Sequence, residues 1–285
     1  MTTQSPSTVA VIEDWNRQLA GRIALVTGGG DGIGGAISRL FGAQGATVVI
    51  AEKVPERAER AVRDITDAGG QAEAHVVDVT TEAGVADLAF QVLARHGHID
   101  VLVNNVGDYR PLVPFRQSSA ASWKAMYDLN LFHVFAVTQA FIDSMTNNGR
   151  GSIINVHSVE GMRGFPREPV YAAMKAAVAH FTTSLAVEMG RHGIRVNGIG
   201  PDLTQTPQVD YLTGWEGTED LWTSWAPVGR LGWPQDQARV ALFLASDQSA
   251  YVTGHNIPVD GGTKAGGGWF FSPAEGRFVN RPRTL

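Results

Sequence analysis

Residues 23–34 read IALVTGGGDGIG, an apolar and β-branched run that passes directly into a glycine-rich loop, and a helical pattern follows from about Gly35. Glycines let such a loop turn tightly and bring its backbone close to a pyrophosphate, which then lies at the positive N-terminal end of the helix. The motif alone is weak, but it stands between a first strand and a first helix, where this mechanism needs it. We therefore predict a dinucleotide site, and its loop residues are Gly28, Gly30, Asp31, Gly32, Ile33 and Gly34.

Short β-branched runs alternate with longer helical patterns along most of the chain. Several runs are almost continuously apolar, as expected for parallel strands that helices cover on both faces. The predicted strands are 23–27, 47–51, 75–79, 101–103, 152–156, 195–199 and 256–259. The predicted helices include 55–68, 82–96, 122–147, 170–192 and 235–246. Because strand and helix repeat in turn, we predict a single-domain α/β fold of Rossmann type: a doubly wound parallel sheet of about seven strands, with helices on both faces.

The chain divides into an N-terminal extension (1–20), one catalytic domain (21–262) and a C-terminal tail (263–285). Its 285 residues, 44% of them hydrophobic, suffice for one large core. Residues 202–232 hold three tryptophans without a clean period, directly after a predicted strand, so we expect this loop to line a substrate site. The aromatic residues 269–271 are expected to pack on protein, either their own core or a neighbouring subunit.

Composition excludes several classes of function. The net charge is −5, and the 23 lysines and arginines are scattered, so no basic footprint for nucleic acid is present. The absence of cysteine rules out disulfides, thiolate metal sites and a cysteine nucleophile. No apolar run approaches the roughly 20 residues of a membrane span, and residues 1–18 do not resemble a secretory signal. We expect a cytoplasmic protein without a catalytic metal.

The choice of cofactor depends on the second strand. Glu52 ends that strand about 20 residues past the glycines, where an acidic side chain accepts hydrogen bonds from the adenosine ribose. A carboxylate there also repels the 2′-phosphate of NADP, and Asp31 adds charge of the same sign. Lys53 argues the other way, because it could turn toward a phosphate. We predict NAD.

Tyr171 and Lys175 stand four residues apart in a helical pattern and therefore share one face of a helix. A free tyrosine, with a pKa near 10, is a poor base at neutral pH, and a nearby ammonium favours the phenolate. The alternative is a packed tyrosine beside an unrelated lysine. Ser158 follows a predicted strand 13 residues earlier, so both could meet at one pocket. The sequence around it lacks the G-x-S-x-G elbow of serine hydrolases.

Together these residues resemble the short-chain dehydrogenase/reductase family, in its standard branch of about 250 residues. The match runs from Gly21 to Gly262. It comprises the T-G-x-x-x-G-x-G element at 27–34, Asp78 and Val79, the N-N-x-G element at 104–107, Asn130, Ser158, the Tyr171/Lys175 pair, Pro201 with Thr206, and Asp260-Gly261-Gly262. Val106 and Asp202 depart from the family pattern, which usually has Ala and Gly there.

The resemblance implies roles that composition could not show. Tyr171 would be the acid/base, Lys175 would bind the nicotinamide ribose and lower the tyrosine pKa, Ser158 would orient the carbonyl or alcohol, and Asn130 would anchor a relay water. The further cofactor contacts implied are Asp78 and Val79 at the adenine, Asn105, Val106 and Gly107 at the ribose, and Pro201, Thr204 and Thr206 at the nicotinamide amide. Family members usually assemble through the two long helices here predicted at 122–147 and 170–192, so we expect a homotetramer.

The predicted function is reversible NAD-dependent hydride transfer between a secondary alcohol and a ketone. We expect an apolar pocket formed by residues 109–115, 162–165 and the tryptophans of 202–232, suited to a bulky alicyclic, steroid-like or aromatic substrate. Two alternatives stay open. One is an NADPH-dependent ketone or 3-oxoacyl reductase, which Lys53 allows. The other is a dinucleotide-binding scaffold without catalysis, which the complete set of four catalytic residues disfavours.

Overall fold

The computed structural model describes residues 16–166, 168–213 and 219–279. Its strands are β1 (Ile23–Thr27), β2 (Thr47–Glu52), β3 (Gln71–Val76), β4 (Val101–Asn104), β5 (Gly151–Val156), β6 (Ile194–Pro201), β7 (Asn256–Val259), β8 (Phe270–Ser272) and β9 (Arg277–Val279). Its helices are α1 (Gly32–Ala43), α2 (Pro55–Asp67), α3 (Glu82–His96), α4 (Ala120–Tyr127), α5 (His133–Asn148), α6 (Pro169–Met189), α7 (Glu219–Trp225), α8 (Pro234–Ala245) and α9 (Thr263–Gly266). The first seven strands form one parallel sheet in the order β3-β2-β1-β4-β5-β6-β7, which confirms the predicted doubly wound fold.

The strand order reverses between β1 and β4, because successive strands are added outward on opposite sides of this pair. The loops that leave the carboxyl ends of β1 and β4 therefore diverge and open a crevice, the usual ligand position in such sheets. Apolar layers cover both faces of the sheet. Phe41 of α1 packs with α8 on one face, and Phe141 of α5 packs with α3 and α6 on the other. No described helix is both long and apolar enough to cross a membrane.

The third strand is displaced from its predicted position. It covers Gln71–Val76, whereas the apolar residues suggested 75–79. β3 is an edge strand that pairs with β2 alone, so polar side chains such as Glu73 and His75, which are only partly buried, are tolerated in it. The following residues leave the sheet toward the crevice, where Val79 is buried. The apolar residues Val76, Val77 and Val79 therefore mark the end of the strand and the segment that leaves it.

The predicted helix 122–147 is interrupted. α4 ends at Tyr127, a π-helical turn spans Asp128–Phe132, and α5 continues to Asn148. Such a turn adds one residue without ending the helix, and side-chain periodicity does not reveal it. It contains Asn130, which the site described below uses. At the glycine loop, α1 begins at Gly32 rather than near Gly35, because the Asp31 carboxylate caps it by accepting from Gly32 N at 2.8 Å.

The C-terminal region forms short elements rather than an extended tail. α9 follows β7 directly, and β8 and β9 pair as an antiparallel hairpin. In the 202–232 loop, Leu203, Ala226 and Leu231 form a small cluster with Tyr211 and Trp222. The N-terminal residues 1–15, the loop residues 214–218 with Trp215, and the last residues 280–285 lie outside the described part of the chain.

Candidate active site

A cavity of about 800 Å³ lies at the carboxyl ends of the strands, within the size range of small-molecule and cofactor sites. Most predicted site residues line it: Gly28, Asp31, Gly32, Ile33, Glu52, Asp78, Val79, Asn105, Val106, Gly107, Ser158, Tyr171, Lys175, Pro201, Thr204 and Thr206. Gly30, Gly34 and Asn130 are not among the described lining residues and stand behind this surface. Residues from seven chain segments thus converge on one space.

The two glycines behind the surface shape the loop. A Cβ on Gly34 would collide with the carbonyl oxygen of Gly28, and a Cβ on Gly30 would lie 2.9 Å from Oε2 of Glu52. Gly28 itself has a φ of +61°, which glycine adopts without penalty. The loop therefore packs tightly onto α1 and β2 while its other glycines border the cavity. This arrangement fits a pyrophosphate at the N-terminus of α1.

The end of the cavity that is predicted to bind adenosine holds three carboxylates, those of Asp31, Glu52 and Asp78. Glu52 is buried, and its Oε1 accepts from Val54 N at 3.1 Å, which fixes the side chain at the end of β2. Asp78 accepts from Thr80 N at 2.9 Å and from the Thr80 hydroxyl at 2.7 Å. Burial works to raise the pKa of Asp78, but these hydrogen bonds and the charge of Lys53 outweigh it and lower the pKa. Glu52 thus lines the cavity at the end of β2, beside the glycine loop.

Asp31 is not a free negative charge. Its Oδ2 accepts from Arg60 at 3.0 Å and lies 3.9 Å from Nε of Arg57, while its Oδ1 caps α1. Arg57 also lines the cavity, next to Glu52. Sequence reasoning missed Arg57 and Arg60, although their position three residues apart at the start of a predicted helix could have indicated a shared face.

Tyr171, Lys175 and Ser158 meet at the opposite end of the cavity. Tyr171 and Lys175 are one turn apart on α6, both buried, with the Lys175 ammonium 5.7 Å from the centre of the tyrosine ring. Lys175 donates to the carbonyl oxygen of Val156 at 3.1 Å. The Ser158 hydroxyl oxygen accepts from Glu160 N at 3.1 Å, and the same hydroxyl forms a hydrogen bond with Tyr171.

Burial dominates the acid–base properties of this pair. It raises the pKa of Tyr171, against which the hydrogen bond with Ser158 acts, and it lowers the pKa of Lys175 to about 8, against the charge of Asp108. Burial therefore sets the direction of the Tyr171 pKa in the protein alone, and the lowering of this pKa by Lys175 stays a prediction. The ammonium is directed at a backbone carbonyl, and desolvation penalises the phenolate more than a charge at that distance favours it.

Asn130 lies behind Lys175 and is fully buried in the π-helical turn. Its side chain accepts from Asp108 N at 3.1 Å and donates to the Asp108 carbonyl oxygen at 2.9 Å. A Cβ on Gly107 would lie 2.7 Å from Nζ of Lys175 and 2.9 Å from Oδ1 of Asn130, so only glycine lets these groups approach. Asn130 is thus bonded to the loop after β4, beside the glycine that Lys175 also approaches.

His157 supports the strand end that carries Ser158. Its ring lies across β6, where a Cβ on Gly200 would approach its Cε1 to 2.6 Å. Nδ1 is 3.0 Å from the Ser158 carbonyl oxygen, and Nε2 has no hydrogen-bond partner among the described residues. Burial lowers the pKa of His157 to about 4, so the imidazole is neutral at pH 7.

Aromatic rings surround the catalytic tyrosine. Tyr109 and Phe165 stand edge-on to it, with ring centres 6.0 and 6.2 Å from that of Tyr171. The prediction that tryptophans of the 202–232 loop line the pocket is wrong for Trp222 and Trp225. Neither residue borders the described cavity. Trp222 packs instead into the cluster under its own loop, where Tyr211 lies edge-on to it at 5.2 Å and presents its other side to the cavity.

The substrate end is also more polar than expected. Glu160 and Asp202 both line it, and Arg163 links them with bonds of 2.8 and 2.9 Å. Asp202 accepts a further bond of 2.6 Å from Thr263, which attaches the start of the C-terminal region to this wall. Asp202 stands where the family pattern usually has glycine, and this departure could have indicated that its carboxylate makes specific contacts. In the described residues, no group of three or more His, Asp or Glu side chains is arranged to hold a metal ion.

Comparisons with known proteins agree with this geometry. Residues 28–264 match the family model described as enoyl-(acyl carrier protein) reductase. The chain is 38% identical to a 3-oxoacyl-[acyl-carrier-protein] reductase of Thermotoga maritima, over 86% of this chain and 98% of that protein. It is equally identical, over the same shares, to the cis-4-hydroxycyclohexanecarboxylate dehydrogenase of Sinomonas cyclohexanicum. A solved 7α-hydroxysteroid dehydrogenase, complexed with NADH and a 7-oxo bile acid, is 35% identical with a TM-score of 0.81, over 87% of this chain and 96% of that one.

Proposed function

The chain belongs to the short-chain dehydrogenase/reductase family, and we propose that it is an NAD-dependent dehydrogenase that oxidises a secondary alcohol on an alicyclic ring. As a family member it is an oxidoreductase that acts on CH–OH or keto groups with a nicotinamide cofactor. One observation carries the proposal. Tyr171, Ser158 and Lys175 converge at one end of a cavity whose other end presents a buried carboxylate, Glu52.

The proposed preference for NAD rests on Glu52. Its carboxylate is held by Val54 N beside the glycine loop, where a ribose hydroxyl can donate to it and a 2′-phosphate would be repelled. Arg57 and Lys53 also border this end of the cavity and favour NADP by charge. We assign the larger weight to Glu52 because it is buried, whereas the side chain of Arg57 is 48% exposed and partly screened by water.

The residues of this chain suffice for the proton chemistry. When bound, the nicotinamide ring supplies the hydride acceptor, and its positive charge favours a phenolate nearby. The Ser158 hydroxyl donates to the substrate oxygen and orients it. Tyr171 accepts the hydroxyl proton of the alcohol as the C–H bond breaks and the carbonyl forms. Lys175 then returns a proton toward solvent past Asn130, for which a lysine pKa of about 8 is suitable.

The proposed substrate follows from the walls around Tyr171. Tyr109 and Phe165 offer apolar faces that fit a saturated ring of the kind expected for a bulky alicyclic or steroid-like alcohol. Glu160 and Asp202 stand on the wall carried by the loops after β5 and β6. Arg163 neutralises one of these two charges, and the net negative charge that remains disfavours an anionic substituent, while the carboxylate oxygens can accept hydrogen bonds from a hydroxyl. We therefore propose a neutral hydroxylated ring rather than a wholly apolar or carboxylated one.

We further propose assembly into a homotetramer through α5 and α6. Phe135 and Phe181 lie on their outer faces with ring centres 4.7 Å apart, beside an apolar groove of about 350 Å³. Phe135 is 37% exposed, which is unfavourable for an aromatic side chain in water. Light scattering of the wild type and of Phe135→Glu tests this. A monomeric wild type would contradict it.

The decisive experiment on function supplies the purified protein with NAD or NADP and a panel of neutral alicyclic secondary alcohols, and follows absorbance of the reduced nicotinamide. We expect turnover with NAD on ring alcohols and little with NADP. The second candidate is a 3-oxoacyl reductase, which Arg57 and the acyl-carrier relatives favour. Faster consumption of NADPH with a 3-oxoacyl thioester than of NAD with any ring alcohol would overturn our assignment in its favour.

A further inference from the structure

The adenosine end of the cavity contains opposite charges whose arrangement the fold fixes. Helix α2 begins with Pro55 directly after β2, and its first turns place Arg57 and Arg60 on one side. Asp31, at the start of α1, faces both guanidinium groups. Of these two arginines, Arg57 borders the cavity, and its stem lies against Gly30 opposite the carboxylate of Glu52.

We propose that Asp31 sets cofactor preference indirectly, by holding Arg57 away from the position that a 2′-phosphate would occupy. This inference rests on the proposed use of NAD and names a second determinant of it. Glu52 acts by repulsion, whereas Asp31 acts by engaging the cation that would otherwise accept the phosphate. The protein would then contain a suppressed NADP site, in which one carboxylate keeps the necessary arginine occupied.

The fixed position of Asp31 supports this division of roles. Its Oδ1 accepts from Gly32 N at 2.8 Å, so the cap holds the carboxylate in place. Its Oδ2 is shared between Arg60 at 3.0 Å and Arg57 at 3.9 Å. The longer contact is the weaker one, and the Arg57 side chain is 48% exposed, so a competing phosphate could draw Arg57 away once the charge of Asp31 is removed.

The test measures dinucleotide binding to the full-length protein by calorimetry, without any substrate. Asp31→Asn keeps a helix cap and removes the charge. We expect its affinity for NADP to rise roughly tenfold relative to its affinity for NAD, the effect of one additional charge-assisted hydrogen bond that only the 2′-phosphate can accept. The gain should fall steeply with added salt, because a phosphate–arginine contact at a half-exposed site is screened.

Two double variants identify the responsible residue. Asp31→Asn with Arg57→Ala should lose the gain in NADP affinity, and Asp31→Asn with Arg60→Ala should keep it. Asp64→Asn is the matched control. It breaks a comparable aspartate–arginine pair between the same two helices, Arg39 with Asp64 at 2.7 Å, away from the described lining of the cavity. It should leave both affinities unchanged.

The outcomes separate this inference from the proposed function. If Asp31→Asn gains NADP affinity equally with and without Arg57, loss of repulsion alone explains the effect and the inference is overturned. The same holds if no gain occurs in a variant whose thermal unfolding matches the wild type. If the wild type already binds NADP more tightly than NAD, the proposed preference for NAD fails, whereas coupling between Asp31 and Arg57 would still support the arginine assignment.

Discussion

Backbone groups shape one end of the cavity, whereas contacts between side chains shape the other. The cofactor end is formed by consecutive strand–loop–helix units, in which glycines and backbone groups set the shape and Glu52 is fixed by a neighbouring peptide N–H. The substrate end is formed by the loops after β4, β5 and β6, which side chains tie together, Arg163 to Glu160 and Asp202, and Glu168 to Val113 N at 2.7 Å. Because the shape of the cofactor end depends on glycines and backbone groups, substitutions elsewhere leave it unchanged. The shape of the substrate end depends on side-chain contacts between loops, so substitutions in these loops can alter which substrate fits.

The largest predicted effect belongs to the tyrosine at the substrate end. Tyr171→Phe removes one hydroxyl and keeps the ring that packs against Tyr109 and Phe165. We expect kcat to fall by about 10² to 10⁴ or more, the usual contribution of a general acid/base, with the Kd for NAD nearly unchanged. Steady-state rates and calorimetric titration of NAD check this. A variant that keeps more than about a tenth of the wild-type kcat would show that Tyr171 is not the acid/base.

Lys175→Ala should affect both ends at once. The ammonium lies between Val156 and Gly107, beside the loop after β4 that lines the cavity, and is 5.7 Å from the centre of the Tyr171 ring. We expect a large loss of kcat together with weaker NAD binding, and an upward shift in pH of the alkaline rise in rate, because a phenolate without a nearby cation forms less readily. A pH–rate profile measures the shift. Unchanged NAD affinity in this variant would show that Lys175 does not bind the cofactor.

The sequence also predicts the two ends of the cavity to different extents. The glycine spacing, Glu52 and the strand–helix alternation located the cofactor end because local chain geometry determines it. Periodicity did not reveal the π-helical turn at Asn130. It also did not show that Trp222 would turn into its own loop and leave Tyr211 at the wall. Those outcomes depend on side-chain contacts between separate segments, such as Asn130 with Asp108 and Trp222 with Tyr211.

A smaller effect should be confined to the substrate end. Glu160→Gln keeps the size of the side chain and removes its charge from the wall. We compare kcat/KM for cyclohexane-1,4-diol, 4-methylcyclohexanol and 4-hydroxycyclohexanecarboxylate. The wild type should prefer them in that order. The variant should lose roughly ten- to a hundredfold on the diol, as for loss of a hydrogen bond to a charged group, and should gain on the carboxylate.

This pattern distinguishes recognition from damage to the fold. A structural defect would lower all three rates together, whereas loss of a charged acceptor changes their order. The Kd for NAD should remain at the wild-type value, because Glu160 stands at the other end of the cavity. Asp64→Asn, on the α1/α2 surface, serves again as the control and should preserve the order of the three alcohols. A wild type that prefers the carboxylate would refute the proposed neutral substrate.

The smallest predicted effect concerns the support of the substrate end and appears only in acid. His157 is buried and neutral, with its pKa lowered to about 4 from an ordinary 6.5. Between these values the unfolded chain binds the proton and the folded protein does not. The contribution of His157 to stability is therefore complete above pH 6.5 and declines as the pH falls toward 4. At pH 5.5 the loss should be roughly tenfold in the unfolding equilibrium, on the order of 1 kcal/mol.

His157→Asn should flatten this dependence. The variant leaves space over Gly200 and should be less stable than the wild type at pH 8, but the difference should shrink at pH 5.5, because the titrating group is gone. His133, also buried, has its pKa lowered to about 3 and retains its own acid dependence in both proteins. Urea unfolding at both pH values, at one protein concentration, measures the difference. His180→Asn, at an exposed position on α6, should preserve the wild-type pH dependence.

Hydrogen exchange should show that acid loosens the Ser158 segment before the glycine loop, since the former depends on a buried imidazole and the latter on backbone packing. Equal loosening of both segments would mean that the two ends of the cavity share one framework, and the contrast drawn between them would fail.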